Sequence, residues 1–162
     1  MNDENKEAIF IEKLGLFFEK HSKFPRIAGR IFAYLLICDP PEQSQQQIVD
    51  YLKIAKGSAS SMLRMLTQFK IIEEFTLPGI RSKLYRINCK GWEDLFWLRL
   101  KNLVVVREIL KEGHSLLNDK PNELSLRIEE LDKFYVFFEN EIPLLIERWK
   151  NYKDIGGVIN EK

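Results

Sequence analysis

Cysteine is nearly absent: Cys38 and Cys89 stand alone, with no C-x-x-C neighbour. Disulfide frameworks and zinc sites need clustered thiols, or thiols with histidine at fixed spacing, so neither is expected and a reducing compartment is the default. Histidine is equally scarce, His21 and His114 being the only two. Both fall near helix ends, where an imidazolium meets the negative end of the dipole. Without convergent polar groups, a glycine-rich phosphate loop or a nucleophile motif, no catalytic centre and no cofactor are expected. Long apolar runs are missing too. The longest, Ile31 to Cys38, is far below the roughly 20 residues of a membrane span. Met1 to Glu7 is acidic and polar, so nothing marks secretion or membrane insertion and a cytoplasmic protein is expected.

What the chain does have is apolar content in ordinary globular proportion, 45% hydrophobic with 12% aromatic, over 162 residues. That is enough for one domain with its own core and a helical appendage, and too little for two full-sized domains. The net charge of +1 conceals an asymmetry. Residues 44–90 carry eight basic and three acidic side chains, a net +5, between two mildly acidic flanks. A basic block in the middle of the chain suits a module that touches a polyanion, although a solvated face would look the same by charge alone.

Periodicity orders the elements. Glu4 to His21 reads as an amphipathic helix with Phe10, Leu14 and Phe17 on one stripe, broken at Ser22 to Phe24. Pro25 is placed as the first residue of a second helix, with Ile27, Ile31, Tyr34 and Leu35 apolar until Asp39-Pro40-Pro41 stops it. Ser44 and Gln47 form an S-x-x-Q capping box for a third helix through Leu52. After the three-residue gap Lys53-Ile54-Ala55, a fourth helix runs from about Lys56 to Phe69 with Ala59, Met62, Leu63 and Leu66 inward. Two short helices joined so tightly signal a helix-turn-helix. The period then becomes extended over Ile71 to Leu77 and Ser82 to Ile87, around the turn dipeptide Pro78-Gly79. Such a hairpin behind a helix-turn-helix is a wing, here with Arg81, Lys83 and Arg86 as its basic residues.

From Trp92 the chain is helical again, with Phe96, Leu100, Leu103, Leu110 and Leu117 near one face until Asn118 to Pro121. The last helix carries Leu124, Ile128, Leu131, Tyr135, Phe138, Ile142, Leu145, Trp149 and Tyr152 at alternating steps of four and three. That is a heptad seam, longer than a domain of this size covers by itself, and it predicts a homodimer. Pro143 beside the seam predicts a kink near Asn140. Ile155 to Lys162 reads as a frayed tail. The expected architecture is mainly α with a small β-hairpin wing: a winged helix-turn-helix within residues 1–90, and a C-terminal helical dimerisation region over residues 91–162.

The fourth helix offers the chemistry. Lys56, Gly57, Ser58, Ser60, Ser61 and Arg64 give a small, polar, cationic face of the kind that enters a major groove. Uncapped amides at its start suit a phosphate, Arg64 suits a base edge, and Arg81 and Lys83 on the wing suit flanking DNA. The partner expected is double-stranded DNA. A winged module that binds protein without DNA is the alternative, and its sign would be an uncharged face on this helix. The aromatics Trp92, Phe96, Trp97, Phe134, Tyr135, Phe137, Phe138, Trp149 and Tyr152 are read as packing residues in preference to a cage for a cationic effector.

The runs F-P-R-I-A-G-R-I from Phe24, C-D-P-P-E-Q-S from Cys38, K-G-S-A-S-S-M-L-R from Lys56 and L-P-G-I-R-S-K-L-Y from Leu77 resemble the GbsR branch of the MarR-like transcriptional regulators. The resemblance spans residues 5–100 and fades across the C-terminal helices. It implies a winged-helix homodimer whose outer helices form the interface, palindromic operators, and in some members control by a small-molecule effector such as choline. Two positions depart from the pattern: Ala55, where a capping Ser is common, and Ile80 at the wing tip, where a more polar residue is usual.

Overall fold

A computed structural model describes residues 3–117 and 121–154, apart from the side chains at 3, 4, 103 and 104. The frayed tail expected at Ile155 to Lys162, the break at Asn118 to Lys120 and the packing of Leu103 lie outside the described residues. The order is α1 (Asp3–Phe17), α2 (Arg26–Ile37), β1 (Gln43–Ser44), α3 (Gln45–Leu52), α4 (Lys56–Gln68), β2 (Ile72–Phe75), β3 (Leu84–Ile87), α5 (Cys89–Ser115) and α6 (Asn122–Asp154). The chain divides into two compact units at Leu95/Phe96, within α5, where residue 90 was the expected limit. Among the described residues no helix is long and apolar enough to cross a membrane.

The core of the first unit gathers around α2, whose Ala28, Ile31, Phe32, Ala33, Tyr34 and Leu35 are all buried. It takes in Ile48 and Leu52 of α3, Leu63 and Leu66 of α4, and Ile71, Ile72 and Tyr85 of the wing. Pro25 is the cap of α2, which starts at Arg26, one residue later than expected, and the Pro25 carbonyl accepts from the amides of Ala28 and Gly29.

The stripe expected on the first helix is shifted by one residue. Phe10 and Phe17 are exposed, and Ile11, Gly15 and Phe18 face inward. The cause is a close crossing of α1 and α2. A methyl group on Gly29 would stand 2.7 Å from Phe18 Cβ and 2.9 Å from Gly15 Cα, so the two backbones meet where neither helix carries a side chain. This brings Phe18 over α2. Its ring lies 5.4 Å from Phe32 and 5.7 Å from Phe24, and it stacks on Trp92 of α5 at 5.9 Å. From Phe18 to Ser22 the helix widens into a π turn, closed by Lys23 at φ 56.

Hairpin and helix-turn-helix form where local chemistry directs. The Ser44–Gln47 capping box is complete, with the Gln47 amide donating to Ser44 Oγ and the Ser44 amide to Gln47 Oε1. At the wing tip the Ile80 amide donates to Leu77 O at 3.1 Å and Gly79 takes φ 83, a type II turn with Pro78 at its first central position. The sheet is larger than a hairpin. The two-residue strand β1 adds to β3, giving three antiparallel strands in the order β1-β3-β2, with Gln43 opposite Tyr85 and Ser44 opposite Leu84. Gln43 is buried and doubly used, accepting from Tyr34 Oη at 2.9 Å and donating to Pro40 O at 2.6 Å.

In the second unit the later turns of α5 run antiparallel to α6. Arg107 donates to Asp132 at 3.0 Å and also to Glu139, and His114 Nε2 stands 3.6 Å from Glu129. α6 continues through Pro143 without a break. Ile142 is its one buried residue among those described. The aromatics read as core residues divide accordingly: Trp97, Tyr135 and Phe138 are half-buried, whereas Phe96, Phe134, Phe137 and Tyr152 are exposed. A pair of helices has a single shared seam, which cannot cover residues all round both cylinders.

Gly29→Ala is expected to destabilise the first unit. Alanine gains about 1 kcal/mol in helix propensity, but its methyl meets backbone at Gly15, and overpacking of a filled contact costs typically 1–3 kcal/mol, occasionally more. The expected sign is net loss, read as a lower urea midpoint at unchanged slope. A raised midpoint would show that α1 and α2 can separate freely.

Candidate nucleic-acid interface

The basic segment singled out by charge folds into α3, α4 and the wing. α4 starts at Lys56 after Lys53, which holds φ 51 and ends α3. Its cap residue, Ala55, offers no side-chain acceptor, so no side chain caps the first amides of α4. Gln45 ties the two helices together, its Nε2 donating to Lys56 O at 3.1 Å.

Along α4, Ala59, Leu63 and Leu66 are buried and Met62 is half-buried, so the opposite side faces outward. Lys56, Gly57, Ser61 and Arg64 are exposed there, while Ser58 and Ser60 are half-buried at the margins of that face. Two shallow recesses join this helix to the wing. Ser60, Arg64, Thr67 and Gln68 meet Glu74, Lys83 and Tyr85 in one. Lys56 meets Ser44, Gln45, Ser82 and Lys83 in the other. Of the expected site residues, Lys56, Ser60, Arg64 and Lys83 are therefore brought together. Gly57, Ser58 and Ser61 lie outside both recesses, and Arg81 sits in the exposed loop between β2 and β3.

The cations are not equivalent. Lys56, Arg64 and Arg81 meet no carboxylate among the described residues. Lys83 Nζ, by contrast, stands 2.6 Å from Glu74 Oε1. Arg86 is bound to Glu73, lies 3.7 Å from Glu42 and covers the ring of Phe75 at 4.7 Å. Glu73 and Glu42 push its pKa up, the hydrogen bond to Glu73 most of all. Sequence reasoning missed Gln45, Glu74 and Tyr85. Gln45 could have been found in the exposed amide run Gln45-Gln46-Gln47; Glu74 and Tyr85 needed the strand register. Among the described residues no group of three or more His, Cys, Asp or Glu is placed to hold a metal.

Comparison with known proteins finds transcriptional regulators. The family model for MmpR5-like MarR family transcriptional regulators matches residues 90–152, the helices where the motif resemblance fades. The regulator MmpR5 of Mycobacterium tuberculosis is 29% identical over 140 residues, covering 86% of this chain and 84% of that protein. A crystal structure of a transcriptional regulator superposes with TM-score 0.67 at 28% identity, over 90% of this chain and 99% of that one. These relatives are regulators and not enzymes. They bear on the MarR-like level, and the GbsR branch rests on the motifs alone.

Gly57 has no internal reason to be glycine, since a methyl group there would meet nothing within 4 Å. Gly57→Ala is therefore expected to raise stability, by up to about 1 kcal/mol, measured as a higher melting temperature. A fall would mean that this turn of α4 is packed more tightly than its open surroundings allow.

Proposed function

We propose that the chain is a MarR-like winged helix-turn-helix regulator, as its similarity to such proteins supports, and that it grips duplex DNA with α4 in the major groove and the wing on the flanking backbone. The observation that carries this is the cationic outer face: Lys56, Arg64 and Arg81 are exposed and stand on the helix and loop that a groove and its rim would meet. Lys56 and the uncapped start of α4 suit a phosphate. Gly57, Ser58, Ser60 and Ser61 keep the helix slim enough for close approach. Lys83 completes the set at the edge of the wing.

Arg64 is assigned to base reading because it lies two turns into α4 on the exposed side, deeper in a groove than the helix start would be. Two hydrogen bonds from its guanidinium to a guanine edge discriminate against a wrong base by about 1–3 kcal/mol. Arg64→Ala is expected to weaken binding to the cognate operator by more than it weakens binding to a scrambled duplex, at one fixed salt concentration. Equal losses on both would make Arg64 a phosphate anchor.

The regulator is further proposed to act as a homodimer on a palindromic operator. Support comes from apolar surface that the single chain leaves uncovered. On α6, Leu131, Leu145, Trp149 and Tyr152 of the heptad seam are exposed, as are Phe134 and Phe137 beside it, and on α1 so are Ile9, Phe10 and Phe17. Light scattering at micromolar concentration is expected to give twice the chain mass. Leu145→Asp, which would place a carboxylate in the dimer contact, is expected to shift the mass toward one chain. Control by a small-molecule effector remains part of the family resemblance, with no residue of this chain assigned to it.

A further inference from the structure

A carboxylate is an unusual group to find on a surface meant for phosphate. Glu74 lines the recess that also holds Ser60, Arg64, Thr67, Gln68 and Lys83. Strand alternation sends its neighbour Glu73 to the other face of the sheet, where Arg86 takes it up. Glu74 is held from two sides. Oε1 faces Lys83 Nζ at 2.6 Å, and Oε2 accepts from Tyr85 Oη at 3.1 Å. Tyr85 is its direct partner across β2 and β3, and only 6% of that residue is exposed. Burial first, and the Glu74 charge second, push the phenol up to about 12, so the hydroxyl remains a donor throughout the neutral range. The carboxylate is thus tied by that hydrogen bond to the buried Tyr85 as well as to Lys83.

On the DNA-binding reading above, we propose that Glu74 is a built-in competitor of the DNA phosphate: a fixed carboxylate that occupies Lys83 and holds down affinity for duplex of any sequence. A half-exposed ion pair adds little to stability. Its larger consequence is for counting charges. Lys83 brings no net positive charge to the backbone while Glu74 stands beside it, and any phosphate entering the recess meets a like charge. Specificity is a difference of affinities, so a term that falls alike on every sequence lowers the overall hold on DNA and leaves the choice among sequences to the base-reading residues.

The test uses the full chain and a short random-sequence duplex, titrated over a range of salt. Each phosphate neutralised adds about 0.9 to the log-log salt slope, which at about 0.1 M salt corresponds to roughly eightfold in affinity. Glu74→Gln keeps the shape of the side chain and its contact with Tyr85. It is expected to steepen the slope by about 0.9 and to tighten binding roughly eightfold. Lys83→Gln added to Glu74→Gln is expected to abolish the gain. Wild-type binding with an unaltered slope in Glu74→Gln overturns the inference alone, as does a gain that survives in the double variant with Lys83→Gln. If neither protein binds duplex, the DNA-binding reading fails and this inference fails with it.

Discussion

Phe18 is the contact on which the first unit depends. It has no exposed surface, and its ring meets those of Phe24, Phe32 and Trp92, so α1, the α1–α2 turn, α2 and the start of α5 all converge on one side chain. The contact exists because Gly15 and Gly29 let α1 and α2 approach backbone to backbone. Dispersion between rings is weak per atom and large in sum, and it falls steeply with a gap of half an ångström. Widening that crossing by one methyl would therefore loosen four elements at once.

From α2 the parts of the candidate interface hang by polar ties. Tyr34 holds Gln43, which sets β1 against β3 and thereby places the wing. Arg30 donates to Leu52 O at 3.0 Å and fixes the end of α3, just ahead of the turn that launches α4. The sequence of dependence runs from a packed helix, through the buried or half-buried side chains of Tyr34, Gln43 and Arg30, to the exposed faces of α4 and β3. The outward residues of α4 are thus free of structural duty, which is why Gly57 stands in open space and Arg64 and Lys56 meet no carboxylate among the described residues. Freedom from internal contacts is what a binding face needs, since a cation already committed to a carboxylate has less to offer a partner.

Much of this was legible because it is local. The capping box at Ser44, the three-residue gap before Lys56 and the Pro78-Gly79 turn each follow from chemistry within four residues, and each appears where expected. The misses share a cause of the opposite kind. Phe10 and Phe17 have the same helical spacing as residues 11 and 18, so only the long-range meeting of Gly15 with Gly29 decides which stripe is buried. A strand of two residues has no period to read, and β1 is visible only once Gln43 is seen opposite Tyr85. The partnership of Glu74 with Lys83 likewise depends on register across a turn of eight residues between β2 and β3. The charge count of residues 44–90 was right in sum and silent about which cations are spoken for.

The second unit obeys a different balance. Ionic ties join α5 and α6, with Arg107 gripping Asp132 and Glu139 at intermediate exposure. Ion pairs of that kind orient two helices more than they stabilise them. Apolar burial within the unit is slight, since Ile142 is the one buried residue of a 33-residue helix among those described. A helix of that length draws most of its stability from packing an apolar face. Yet Leu131, Phe134, Phe137 and Leu145 remain outward, at 43–58% exposure. An apolar surface that large on a single chain is rare unless something covers it. The heptad spacing from Leu124 to Tyr152 fits another helix, and a second copy of the chain would offer the same spacing. If the proposed homodimer forms there, the stability of this half depends on protomer concentration in a way that the Phe18 core does not.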